Sequence, residues 1–444
     1  MINMIKRYVR EIPGNTGPKM RIGRALMAFT MLLFASLFGS GVVHAQTITF
    51  AGDADQGEGG RWMRSKVEQF SKETGIPVHY IARPVNTTET LMLWQQDWAA
   101  QTADIDVYIV DVIWPAIAAP HASDLKQYFT DKELAEFFPR IVTNNTVKGK
   151  LVAIPFFTDA GLLYYRTDLL EKYGFKNPPN TWSELQQMAQ TIQDGERKAG
   201  SPDFWGFFWQ GAAYEGLTCN ALEWLASSGA GTIVEPDGKV SINNPQTKSA
   251  LAMAKGWVGT ITPKGVAGYQ EEEGRNAFQE GRTAFLRNWP YVYALANSKE
   301  SAVKGHVGVT YLPQGDGPNA THAACLGGWQ LMLSAYSKNK DAAAKLIKYM
   351  VSYETQKEHA IKLSRLPTRS ALYQDKDVLA AQPWFSNLLP VFQNAVARPS
   401  TATGSNYNKV STDFFQTTNQ ILIGQIPVDE GVQTLESKIK RDLR

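Results

Sequence analysis

The sequence predicts an α/β protein built as two domains, on three observations. Residues 47–111 alternate strand and helix patterns, which implies right-handed crossovers and a mostly parallel sheet. The chain has 444 residues, long for one hydrophobic core. Its 43% hydrophobic and 20% charged composition is ordinary for a soluble globular protein.

In order, "TITFAG" (47–52) alternates like a strand that ends in a loop. "WMRSKVEQFSKETG" follows with Met63, Val67 and Phe70 at helical spacing and Gly75 as its stop. "IPVHYIA" is a second strand, a helix runs through Leu91, Leu93 and Trp98, and "DIDVYIVD" is a third strand. Ligands of such sheets sit beyond the carboxyl ends of the strands. Asp53, Asp55 and Glu58 follow the first strand there, and Asp111 ends the third. "GKLVAIPFFTDAGLLYYR" is a turn and a long apolar extended segment. "TDLLEKYG" is helical, and Thr181 and Glu184 have capping-box spacing at the start of the next helix. "ALEWLASSG", "PQTKSALAMAKGWV" and "EEEGRNAFQEG" read as helices. "RTAFLRNWP", "GHVGVTYLP" and "CLGGWQLMLSA" read as strands, and "KDAAAKLIKYMVS" as a helix. The region from about 376 is mostly helical, with a loop at 398–406.

Residues 1–45 read as a secretory signal outside the fold. Lys19, Arg21 and Arg24 precede the apolar "ALMAFTMLLFASLFGSGVV", and "VHA" ends at Ala45, which makes Gln46 the mature start. Both Met1 and Met20 are candidate initiators, and an uncleaved anchor is the alternative. The formal charge of +3 comes from this leader, which carries +5, so the mature chain is near −2. That balance gives no reason to expect nucleic acid or an anionic membrane as partner. Cys219 and Cys325 are the two cysteines. In an exported protein they are a candidate disulfide, with two buried free thiols as the alternative.

No catalytic motif stands out. "GEGG" (57–60) and "GDGPNA" (315–320) lack the lysine and setting of a phosphate loop, the six histidines lack metal spacing, and no cofactor motif is present. What remains is a set of acids and tryptophans at strand ends: Asp111 in "VDVIW", Asp159 in "FTDAG", Trp289 in "RNWPY" and Trp329 in "LGGWQ". Carboxylates accept hydrogen bonds from vicinal hydroxyls, and aromatic faces cover the apolar face of a pyranose. Asp159, set in an apolar run, needs a partner for its charge.

The stretches "LVAIPFFTDAGLLYYRTDLLEKYG", "PPNTWSEL", "IQDGERKAGSPDFWGFFWQGAAYEGLTCNALEWLASSG", "AFLRNWPYVYAL", "VGVTYLP", "CLGGWQLMLS" and "FQNAVARP" run in order along the chain. With them the sequence resembles the family 1 extracellular solute-binding proteins of ABC importers, the trehalose/maltose-binding branch in particular. The resemblance implies a two-lobed periplasmic binding protein fold with a ligand cleft between the lobes. One lobe would take 46–157 plus 313–367 and the other 158–312 plus 368–444. It implies a ligand set of Glu58, Asp111, Phe157, Asp159, Trp289, Gly328, Trp329 and Arg398. It also brings the segments of Cys219 and Cys325 together. The implied partners are a sugar and the membrane permease of the importer, the implied compartment is the periplasm, and the implied state is a monomer.

Two departures bear on the ligand. Phe157 stands where the closest trehalose/maltose binders carry an aromatic hydroxyl. The helix after the second strand, "TLMLWQQDW", offers Trp94, Gln95 and Gln96 in place of the expected arginines. An α-linked disaccharide of the trehalose, maltose or sucrose type is the leading ligand class. A monosaccharide or sugar alcohol is second. A secreted glycosidase using Asp111 and Asp159 as its acid pair, and a chemoreceptor-coupled or scaffold role without transport, are the competing functions.

Overall fold

The computed structural model describes residues 47–54, 57–393 and 395–444, with Gln393 by its backbone only. The expected signal segment 1–45, the expected mature start Gln46 and Asp55 lie outside the described residues. The strands are β1 (Ile48–Gly52), β2 (Val78–Ala82), β3 (Val107–Asp111), β4 (Thr146–Val147), β5 (Lys150–Leu151), β6 (Ile154–Ala160), β7 (Leu162–Arg166), β8 (Trp205–Phe208), β9 (Thr283–Asn288), β10 (Val307–Thr310), β11 (Leu326–Leu333) and β12 (Leu366–Pro367).

One sheet has the order β12-β6-β11-β3-β1-β2 and a second the order β10-β7-β9-β8. Each centres one lobe. β1 pairs in parallel with β2 and β3, through the helices Gly57–Thr74 and Thr87–Ala100, as the alternation predicts. The first sheet is mixed, however, because β11 enters between β3 and β6 antiparallel to both. In the second sheet only β8 and β9 are parallel. "VYIVD" and "IPFFTDA" are buried along their whole length, which is why their sequences run apolar without alternation.

Thr181 and Glu184 do form a capping box at the helix Trp182–Lys198, whose inner face buries Leu185, Met188 and Ile192. Most tryptophans are structural. Trp94, Trp98 and Trp114 fill the first core, and Trp182, Trp209, Trp224 and Trp257 the second. A third cluster joins Leu162 and Tyr164 of β7 to Leu366, Leu372 and Trp384.

The chain leaves the first sheet at Gly161, between β6 and β7. The boundary expected between 157 and 158 falls inside β6, because Thr158, Asp159 and Ala160 still pair with Gly328, Gly327 and Leu326 of β11. A side chain at Gly161 would run into Glu223 and Arg287, so this link takes glycine for space. The second lobe was expected to resume at 368, yet Arg369 still bridges to Phe137 and pairs with Glu136 of the first. The helices Tyr407–Leu422 and Val428–Asp442 then pack into the second core. The expected loop at 398–406 contains two short helical turns, Ser400–Thr403 and Gly404–Asn406. β8 and the helix Tyr353–Leu363 are absent from the sequence reading. Among the described residues no helix is long and apolar enough to cross a membrane.

Candidate functional site

A cavity of about 580 Å³ opens where the carboxyl ends of β1, β3 and β6 meet residues of the second lobe. Of the residues expected to touch ligand, Glu58, Asp111, Asp159, Trp289, Gly328, Trp329 and Arg398 line it. Phe157 is the exception and is corrected here. Its ring is fully buried and packs edge-on to His359, with the Arg365 guanidinium 4.7 Å above it. Phe157 shares its face of β6 with Asp159 but lies two residues further from the strand's end, under the Arg365 guanidinium, so it supports the wall without forming it.

Asp159 is 5% exposed, and its Oδ1 has no hydrogen-bond partner. The nearest cation is Arg365, whose Nη1 lies 3.9 Å from Oδ2. Burial pushes the carboxyl up to about 7; Arg365 opposes this, while the charges of Asp53 and Asp111 add to it. A ligand hydroxyl reaching Oδ1 would satisfy an acceptor that the fold leaves open.

Gly327 lies opposite Asp159 in the β6–β11 ladder. A Cβ on it would sit 3.1 Å from both Asp159 Cβ and Trp289 Cζ3, so the glycine seats the indole beside the acid. Gly328 has φ +123°, and a Cβ there would meet Phe157 O at 2.6 Å. The half-buried Trp289 has the Arg287 guanidinium 4.1 Å from its ring and points Nε1 at Glu271 Oε1, 3.4 Å away. Tyr291 donates its hydroxyl to Glu272 Oε1 at 2.6 Å.

Arg398 spans the cleft. Its Nη2 lies 2.9 Å from Asp111 Oδ1 and its Nη1 2.9 Å from Glu215 Oε1. Glu215 also accepts from Tyr407 and from Ser411 Oγ. Burial pushes the Glu215 carboxyl up, and Arg398, Tyr407 and Ser411 oppose it. Glu58 sits exposed at the rim, in the first turn of its helix.

The helix Thr87–Ala100 carries no arginine, as the sequence reads, but arginines from other segments line the cleft. Arg83, directly after β2, lies 3.8 Å over Trp329 and pairs with Asp53 at 2.8 Å. Arg365 reaches the same Asp53 at 3.4 Å and lies over Tyr291 at 4.9 Å. Burial raises the Asp53 carboxyl, but the two guanidinium groups together bring it below the usual range. Arg83, Glu215, Glu271, Glu272, Arg275, Tyr291 and Arg365 are lining residues that the reading missed. Arg83 carried a signal, its place at a strand's carboxyl end. Arg365 and Glu215 carried none, since both reach the cavity from helix ends distant in sequence.

Cys219 and Cys325 are buried free thiols, the alternative to the candidate disulfide. Among the described residues no group of three or more His, Cys, Asp or Glu side chains is placed to hold a metal.

The bacterial extracellular solute-binding protein model matches residues 53–357. A "Probable ABC transporter-binding protein" of Deinococcus radiodurans is 48% identical over 398 residues, covering 90% of this chain and 94% of that protein. Among solved structures, the maltose-bound MalE3 of T. maritima is 41% identical with a TM-score of 0.84, over 89% of this chain and 99% of that one. The GacH receptor of Streptomyces glaucescens, solved unliganded and with acarbose, is 25% identical with a TM-score of 0.78, over 89% and 98%. The paired sheets, the cleft between them and these likenesses lead to one assignment, and they remove the glycosidase reading: the chain belongs to the bacterial extracellular solute-binding proteins, the substrate-binding proteins of ABC transporters, and is not an enzyme.

Proposed function

We propose that the cleft takes an α-linked disaccharide of the maltose, trehalose or sucrose type and hands it to the importer's permease. The observation that carries this reading is Trp289, a half-buried indole set between the carboxylates of Asp159 and Glu271. An indole face covers the apolar side of a pyranose while flanking carboxylates take its hydroxyls. The cavity of about 580 Å³ falls within the roughly 300–1,000 Å³ typical of small-molecule sites. The likeness to a maltose-bound protein at 41% identity supports the same class. Glu58, Asp111, Asp159, Trp289, Gly328, Trp329 and Arg398 are the proposed contacts, joined by Arg83, Tyr291 and Arg365.

A monosaccharide or sugar alcohol is the second reading, favoured by one observation. Arg83 stacks on Trp329, which leaves that ring 7% exposed and Trp289 as the more open platform. The chain is proposed to be exported through residues 1–45, to work in the periplasm as a monomer, and to divide between lobes at Gly161. A thermal-shift screen of residues 46–444 against mono- and disaccharides tests the ligand class, since a ligand that binds only the folded state raises the melting temperature. A shift with one α-linked disaccharide is expected. A shift with only a sugar alcohol or monosaccharide would replace the first reading by the second.

A further inference from the structure

Behind the cavity lies an ion pair that is not part of its lining. Arg287 on β9 and Glu223 on the helix Glu215–Ser227 are each 1% exposed. Arg287 Nε donates to Glu223 Oε2 at 2.7 Å, and Nη2 donates to Oε1, a two-pronged contact. Nη1 donates to Gln210 Oε1 at 2.7 Å, and Gln210 is held in turn by Asn220. The guanidinium is thus locked in one plane by three acceptors.

That plane touches two things. Towards the cavity it lies 4.1 Å from the ring of Trp289. Away from it, Glu223 meets the segments through which the chain passes between lobes. The first is Gly161, which has no room for a side chain above the pair. The second is Cys325, whose backbone N–H donates to Glu223 Oε1 at 3.0 Å. Cys325 in turn bridges to Val396, with Leu326 N donating to Val396 O at 2.8 Å, so a third passing segment rests on the same spot. One buried pair therefore carries the sugar platform on one side and three interlobe segments on the other.

We propose that Glu223 and Arg287 are positioning residues that set the tilt of the Trp289 platform and anchor the pivot on which the two lobes move. The inference rests on the reading of the cavity as a sugar site for its platform half, and on the fold alone for its pivot half. Burying a charged pair is weak as a source of stability, since an apolar pair of similar volume does as well or better. Its retention here is explained by geometry: a two-pronged, planar contact fixes orientation in a way that apolar packing does not.

The test replaces both residues together, Glu223→Leu with Arg287→Met, so that no charge is left unpaired. Dyes on click-reactive residues at the exposed positions Lys132 and Lys198 report the interlobe distance by single-molecule energy transfer. Maltose is the probe ligand, titrated by calorimetry. The inference expects a cooperative unfolding transition, a ligand-free distance distribution broader than wild type, and maltose affinity at least tenfold weaker. A wild-type distribution together with wild-type affinity would overturn it. Should the wild-type protein bind no maltose, maltose alone is removed from the ligand class and the platform half is read with the sugar that the thermal-shift screen finds. The ligand-free distribution then decides: broadening supports the pair as pivot, and no broadening overturns it. If the double variant does not unfold cooperatively, Arg287→Lys, which keeps the charge and loses the planar contact, takes its place under the same criteria.

Discussion

The guanidinium of Arg398 lies 2.9 Å from the carboxylate of Asp111, which ends the third strand of the first lobe, and the same group holds Glu215 of the second lobe. Asp111 and Arg398 stand side by side as expected site residues, but their main partners are each other. Asp111 Oδ1 is occupied by Arg398 and by the N–H of Ile113. The triad works as a strut across the cleft. Arg398→Met should destabilise the protein by about 3–5 kcal/mol, the cost of leaving buried carboxylates unpaired. Urea denaturation of the variant measures this. A loss below 1 kcal/mol would mean that the strut is solvated in solution.

Asp159 gives the site a pH dependence of known sign. Its pKa, raised by burial to about 7, means that the stability the group contributes is present at low pH and is lost as pH rises through about 7. A hydroxyl donated to the ionised carboxylate favours the charged form. Ligand affinity should therefore rise from pH 5.5 to 7.5, with proton release on binding. Asp159→Asn should stabilise the empty protein at pH 8 by about 1–3 kcal/mol while weakening binding and flattening its pH profile. Calorimetry in two buffers of different ionisation enthalpy reads the released proton, and equal heats in both would contradict the assignment.

Trp289→Leu should weaken sugar binding about 10–100-fold and leave the melting temperature within a few degrees, because the ring is half-buried and faces the cavity. The same titration run on Trp257→Phe separates platform from core. Trp257 is fully buried in the second lobe, so its change should cost stability and leave affinity in place.

The two glycines of "GGW" should separate in their effects. Gly327→Ala puts a methyl 3.1 Å from Trp289 and Asp159, so it should weaken binding while the fold holds. Gly328→Ala forces φ +123° on an L-residue against Phe157 O and should destabilise by about 1–3 kcal/mol. Paired affinity and denaturation curves for the two variants make the comparison.

Both cysteines should be reduced. Thiol counting in denaturant should find two free groups, and alkylation of the native protein at pH 7.5 should be slow, since burial pushes the Cys219 thiol far up. A count of zero would restore the disulfide.

What the sequence carried was local. Strand and helix periodicities placed most elements, and the capping box at Thr181 was readable because both partners lie within four residues. The acids at strand ends were readable too, since a carboxylate closing an apolar strand has few structural excuses. Three kinds of feature were hidden. The antiparallel entry of β11 depends on a partner more than two hundred residues away. Phe157 looked like a ligand contact because it shares the strand face of Asp159, and nothing near it in sequence shows that Arg365 lies over its ring. Arg83, Arg365 and Glu215 were passed over because a lone charged residue usually marks a solvated surface, and only the assembled fold pairs each with an opposite charge.

The place of β11 bears on how the chain is made and moved. β11 supplies residues 326–333 to the middle of the first sheet, between β3 and β6, so those two strands have no ladder joining them until it arrives. A polypeptide emerging amino end first therefore presents the whole of β1 to β10 before its leading lobe can close. The strand order thus defers closure of the first lobe until residues 326–333 have joined it, which suits the proposed export of the chain in an unfolded state.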